Sequence, residues 1–173
     1  RRLDRADIRE LRKWHRDAAL RAVEAGFDIV YVYACHGYML HEFLSSRQNL
    51  RSDEYGGSLE NRARLVRELL EETKEAVGHK CAIACRYSFG SPDGGVIWDP
   101  QESEDTFALL AELPDLWDIT IDDYEQEMGA SRFVKESLHE TDARLAKSKS
   151  SQPVVTVVRF TPPAPTLRMG KTG

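Results

Sequence analysis

Tyr33 and His36 stand three residues apart in YVYACHGYMLHEFL (31–44), where an apolar run gives way to polar side chains. A phenol and an imidazole at that spacing can share a proton, the elementary requirement of general acid–base chemistry. His41 and Glu42 follow at once and raise the question of a metal. The five-residue spacing of His36 and His41 does not set both imidazoles on one helix face, and no third ligand is evident, so the metal reading is rejected. Charged side chains also close the later apolar runs: Arg86 in CAIACRY, Asp122 and Asp123 around the end of LWDITID, and Arg159 in PVVTVVRF. Arginine suits anionic and phosphate-bearing ligands because its planar fork matches their oxygens. Each of these residues alone has a structural explanation, as a packed aromatic, a hydrogen-bonded histidine or a surface ion pair. Gathered at consecutive run ends, they describe an anionic cofactor beside a proton-handling pair.

The elements that would gather them alternate. FDIVYVY (27–33), CAIACRY (81–87), LWDITID (116–122) and PVVTVVRF (153–160) read as strands, and the scant polar alternation of three of them predicts parallel strands covered on both faces. Helical patterns separate them. Asp7 and Glu10 suggest a capping box for a first helix that Gly26 stops. Ser58 opens a second, which ends before Gly78; a third spans Glu102–Leu113 and halts at Pro114; a weaker one precedes Pro153. The Gly56-Gly57 pair ahead of Ser58 permits a sharp loop, and nothing in residues 51–70 does obvious chemistry. This order predicts an α/β fold of βα units. An open doubly wound sheet and part of a (β/α)8 TIM barrel both fit. The absence of a G-x-G-x-x-G or Walker-type loop, and the polar residues at strand C-termini, favour the barrel. Four units make half a barrel, so the chain reads as a piece, one partial domain over 1–173 with an irregular end at 162–173.

Composition narrows the class. The 173 residues suffice for one domain, with 41% hydrophobic and 31% charged content. A net charge of −5 gives no electrostatic reason to bind nucleic acid or an anionic membrane surface. No run approaches a membrane span, and the N-terminus lacks the apolar centre of a signal peptide. Cys35, Cys81 and Cys85 are too few and too scattered for a disulfide framework, and Cys81 and Cys85 read as small core residues. The expectation is a cytoplasmic protein.

The segment AGFDIVYVYACHGYMLHEFLSSRQNLRSDEYGGSLENRARLVRELLEE resembles the Old Yellow Enzyme family of FMN-dependent oxidoreductases. Its H-G-Y, F-L-S and D-E-Y-G-G-S-L-E-N-R elements stand in that family's order and spacing, and the resemblance extends from Asp7 to about Thr161. It implies a (β/α)8 barrel with FMN at its C-terminal mouth, of which this chain looks like strands four to seven. It also implies that Arg86 faces the flavin N1/C2=O edge and that Arg159 helps hold the FMN phosphate. Ene-reductases of the family carry His-x-x-His or His-x-x-Asn where this chain has Tyr33-x-x-His36. That difference is similar to the amine dehydrogenase branch, whose Tyr, His and an acidic residue handle a secondary or tertiary amine. The acidic member falls at Glu127, with Asp122 and Asp123 as rivals and Tyr124 as a candidate aromatic wall. The alternatives are an ene-reductase of the 2,4-dienoyl-CoA reductase type, or a fragment that does not hold FMN. The resemblance further implies a homo-oligomeric full-length protein, with an iron–sulfur cluster only outside this chain. It departs at Val158, where the family has a small residue beside the phosphate.

Overall fold

The structure, a computed structural model, describes residues 2–90, 98–122 and 137–159. Four strands, β1 (Ile29–Ala34), β2 (Ala82–Ser88), β3 (Leu116–Thr120) and β4 (Val154–Thr156), form one parallel sheet in the order β1-β2-β3-β4. The helices are α1 (Arg5–Glu24), α2 (Met39–Leu44), α3 (Leu59–Val77), α4 (Pro100–Leu110) and α5 (Glu140–Lys149). Sequence neighbours are spatial neighbours throughout the sheet, with no reversal of strand order. That is the winding of a barrel rather than of an open doubly wound sheet.

The first strand is covered on one face only. Along β1, Val30, Val32 and Ala34 are buried, while Ile29, Tyr31 and Tyr33 are exposed. The covered face meets α3 and α5 and contributes Val32, Ile83, Cys85, Tyr87, Trp117 and Ile119 to the core. The period-2 alternation of β1 is the half-buried pattern, whereas β2 and β3 are buried on both faces apart from the half-buried Ala82, Arg86 and Leu116. Tyr87, Phe107 and Trp117 pack edge-on and tilted at centroid distances of 4.4–5.6 Å. Their polar atoms are satisfied: Tyr87 Oη donates to Ser103 O at 2.6 Å and Trp117 Nε1 to Ala111 O at 2.8 Å.

The helix ends follow local chemistry. The α1 cap is Asp4, not Asp7: its carboxylate accepts from the N–H groups of Ala6 and Asp7, and Asp7 returns a bond to the Asp4 N–H at 2.9 Å. Ser58 caps α3 as expected, accepting from Asn61 N–H. Asp99 caps α4, which begins with Pro100 at its first position, two residues before the expected start. The short α2 had no counterpart in the sequence reading. The expected irregular end, 162–173, lies outside the described residues. Among the described residues, no helix is long and apolar enough to cross a membrane.

Candidate active site

The face of the sheet that carries Tyr31 and Tyr33 also carries the polar groups. In the parallel register Tyr33 pairs with Arg86, Arg86 with Asp118, and Asp118 with Val155, so these side chains form one row across the sheet. The Arg86 guanidinium lies over the Tyr33 ring, 5.8 Å from its centroid, and its Nε is 3.8 Å from Asp118 Oδ2. Burial raises the pKa of Tyr31, one pleat below, with the Asp118 charge adding to the rise and Arg86 opposing it.

Beyond β1 the chain turns sharply. His36 (φ 57°) and Gly37 (φ 69°) are consecutive left-handed residues, closed by Tyr38 N–H to Cys35 O at 3.3 Å. Two such residues are the signature of a type I′ turn, and a histidine in this conformation costs about 1–2 kcal/mol. The turn folds the His36 ring back over the strand end. There its Nδ1 lies 2.6 Å from Tyr33 Oη and its Nε2 lies 3.2 Å from Thr120 Oγ1.

His41 pins this turn from α2. It is fully buried, its Nδ1 accepts the Gly37 N–H at 3.0 Å, and its ring meets Trp98 edge-on at 4.9 Å. An accepting Nδ1 leaves the proton on Nε2, which faces Asp122 Oδ1 at 3.4 Å. Burial, helped by His36, lowers the His41 pKa to about 3, so the ring is neutral and stays in this role.

The structure thus brings Tyr33, His36 and Arg86 together. Arg159 lies partly buried just beyond β4, its carbonyl accepting from Ser137 N–H at 3.2 Å. Asp122 sits against His41. Glu127, Tyr124 and Asp123 lie outside the described residues. Asp118, Thr120 and the strut role of His41 escaped the sequence reading. A signal for the first two existed: in DITID, polar residues at 118, 120 and 122 alternate with isoleucines, marking the open face.

Residues 51–70 form the scaffold under this corner. Asn49 Nδ2 donates to the carbonyls of Phe43 and Tyr55 at 2.6 and 2.7 Å. The buried Arg62 donates to Leu44 O at 2.9 Å, to Gly57 O, and to Glu102 at 2.5 Å. A Cβ on Gly56 would lie 2.3 Å from Arg51 O, and Gly57 has φ +82°, so each glycine is required for its own reason.

A family model described as NADH:flavin oxidoreductase / NADH oxidase matches residues 1–171. The chain belongs to that family. Dimethylamine dehydrogenase of Hyphomicrobium sp. (strain x) is 38% identical over 176 residues, 97% of this chain and 24% of that protein. Histamine dehydrogenase from Rhizobium sp. 4-9 superposes with a TM-score of 0.89 at 43% identity, covering 100% of this chain and 25% of that one. The 6-hydroxypseudooxynicotine amine oxidase of Pseudomonas geniculata N1 gives 0.89 at 42% identity, covering 99% and 26%. The chain therefore spans about a quarter of these relatives' length. Its four βα units are part of a TIM-barrel oxidoreductase fold, and membership of this NADH:flavin oxidoreductase family implies a flavin. That face suits the group: Arg86 is a planar cation towards a strand's C-terminal end, 24% exposed, over the Tyr33 ring.

Proposed function

We propose that this chain contributes the substrate-handling and part of the FMN-holding residues of an FMN-dependent amine dehydrogenase acting on a secondary or tertiary amine. The observation that carries the reading is the 2.6 Å contact between Tyr33 Oη and His36 Nδ1 directly beside Arg86. FMN, when bound, supplies the acceptor for the two electrons removed from the substrate. A protonated amine has no free lone pair, so oxidation first requires loss of its proton. The Tyr33–His36 pair supplies a phenol oxygen backed by an imidazole to receive it. Tyr33 and Tyr38, edge-on to each other at 5.6 Å and both exposed, offer aromatic faces to an alkylammonium group. Arg86 would hold the flavin ring and favour its acceptance of negative charge, and Arg159 would meet the phosphate. Glu127 is the proposed acidic partner of the pair. The similarity to dimethylamine and histamine dehydrogenases supports this choice over an ene-reductase.

The test uses the full-length protein with its flavin. Secondary or tertiary amines are expected to bleach the oxidised flavin band under anaerobic conditions. Fast NAD(P)H-driven reduction of an activated alkene, with no amine turnover, overturns the reading in favour of an ene-reductase of the dienoyl-CoA type.

A further inference from the structure

We infer that Thr120 is a positioning residue that fixes the tautomer of His36 and thereby makes His36 the proton acceptor for Tyr33. The inference deepens the amine dehydrogenase reading, which gives the pair its task, but its geometry stands without that reading.

Thr120 closes β3 and is fully buried, and its Oγ1 is 3.2 Å from His36 Nε2. It shares the open-face register with Arg86's neighbour Ser88, so it approaches the ring from the far side of β2. His36 is then held at three points. The left-handed turn, pinned by His41 through Gly37, sets its Cα–Cβ direction; Tyr33 meets Nδ1; Thr120 meets Nε2. With the ring orientation fixed, what remains is which nitrogen carries the proton.

Donor and acceptor strengths answer that. A neutral imidazole has one N–H donor and one lone pair. The phenol is the more acidic of the two hydroxyls, and the imidazole lone pair is a stronger acceptor than either hydroxyl oxygen. The short contact, 2.6 Å, is therefore Tyr33 O–H donating to Nδ1. The longer one, 3.2 Å, is Nε2–H donating to Thr120 Oγ1. A hydroxyl at residue 120 favours this tautomer by accepting that N–H; a methyl group in its place would leave a buried N–H without this acceptor. The consequence is functional. In this tautomer, when Tyr33 gives up its proton, Nδ1 receives it, and the resulting imidazolium keeps its second N–H on Thr120. In the other tautomer Nδ1 already bears a proton and cannot receive the one that Tyr33 gives up.

Imidazole nitrogen resonances report the tautomer directly. The protein carries five histidines, so histidine-labelled samples are tractable, with His36 assigned by its loss in His36→Gln. Solid-state 15N spectra of sedimented protein avoid any requirement for a monomer. At a pH where His36 is neutral, the expected pattern is a pyrrole-type Nε2 and a pyridine-type Nδ1. Thr120→Val should move both resonances towards the average of the two tautomers, and Thr120→Ser should restore the original pattern. A protonated Nδ1 in the unsubstituted protein overturns the proposal whatever the variants do. So does a folded Thr120→Val, judged by far-UV circular dichroism, that leaves the pattern unchanged. Should Thr120→Val not fold, a shifted pattern in folded Thr120→Ser overturns it too. None of these readings depends on amine turnover, so failure of the proposed function would be seen separately.

Discussion

At the residue scale, the proposed function assigns Arg86 to the cofactor and Tyr33 and His36 to the substrate. Arg86→Ala in the full-length protein should lower FMN retention or make the flavin harder to reduce, read by flavin release and by potentiometry. Tyr33→Phe and His36→Gln should keep the flavin and instead alter the pH dependence of turnover. Flavin loss in His36→Gln with an unchanged pH profile would contradict the division. His41 makes a different prediction, about stability. Its folded pKa, about 3, lies below the ordinary value of 6.5, because the buried ring is held neutral. The unfolded chain therefore binds more protons between those values, and stability present above pH 6.5 is lost as pH falls towards 3. The slope is about 1.4 kcal/mol per pH unit, so roughly 2 kcal/mol should disappear between pH 6.5 and 5. His41→Gln, whose amide oxygen can still accept the Gly37 N–H, should remove that part of the slope. Urea unfolding of both proteins at one fixed concentration checks this. His15, whose pKa burial also lowers, and Asp142, whose carboxyl burial raises to about 6, remain in both proteins and cancel in the difference.

At the element scale, the ion pair of Arg62 and Glu102 joins α3 to α4 and to the loop after α2. Glu102 also accepts from Ser46 N–H at 2.9 Å and Ser46 Oγ at 3.1 Å, and both charged side chains are about nine-tenths buried. Removing one partner leaves the other charge buried, which costs about 3–5 kcal/mol. Arg62→Ala should therefore show a lower urea midpoint than the Arg62→Leu, Glu102→Leu double variant; equal midpoints would mean the pair is solvated. None of this was legible beforehand, since the partners are forty residues apart and a pairing between helices leaves no local pattern. The elements themselves were legible where a local rule acts: Ser58 at a cap, Gly26 past a helix end, apolar runs at four strands. The first cap was misplaced because Asp4 and Asp7 both precede an apolar periodicity, and only the backbone decides which side chain reaches the free N–H groups. Tyr33, His36 and Arg86 were legible as a set through the family resemblance and their positions at strand ends. Thr120 and Asp118 were not, because both lie inside an apolar run and their alternation with Ile119 and Ile121 is short.

At the scale of the whole molecule, the open face governs how the isolated chain behaves. Ile29, Tyr31, Tyr33 and Val155 each stay 36–44% exposed there. In a complete (β/α)8 barrel the corresponding inward side chains fill a packed interior. Here they form an apolar and aromatic surface of the kind that drives association. The sheet also ends, among the described residues, on β1 at one side and β4 at the other, and each edge presents backbone donors and acceptors to a further strand. A second copy satisfies both needs, because it brings the same apolar face and the same open edges. FMN on a single copy would meet Arg86 and Arg159 but not the phosphate contacts expected from the rest of a barrel. We therefore predict that the isolated 173-residue chain self-associates and retains flavin poorly. Size-exclusion chromatography with added FMN, followed at protein and flavin wavelengths, decides the matter. The expected result is elution ahead of a 19.7 kDa monomer with substoichiometric flavin in the protein peak. Tyr31→Lys, which places a charge on the open face, should shift the distribution towards monomer. A monodisperse monomer carrying one flavin per chain would show instead that these four βα units already form a self-sufficient cofactor site.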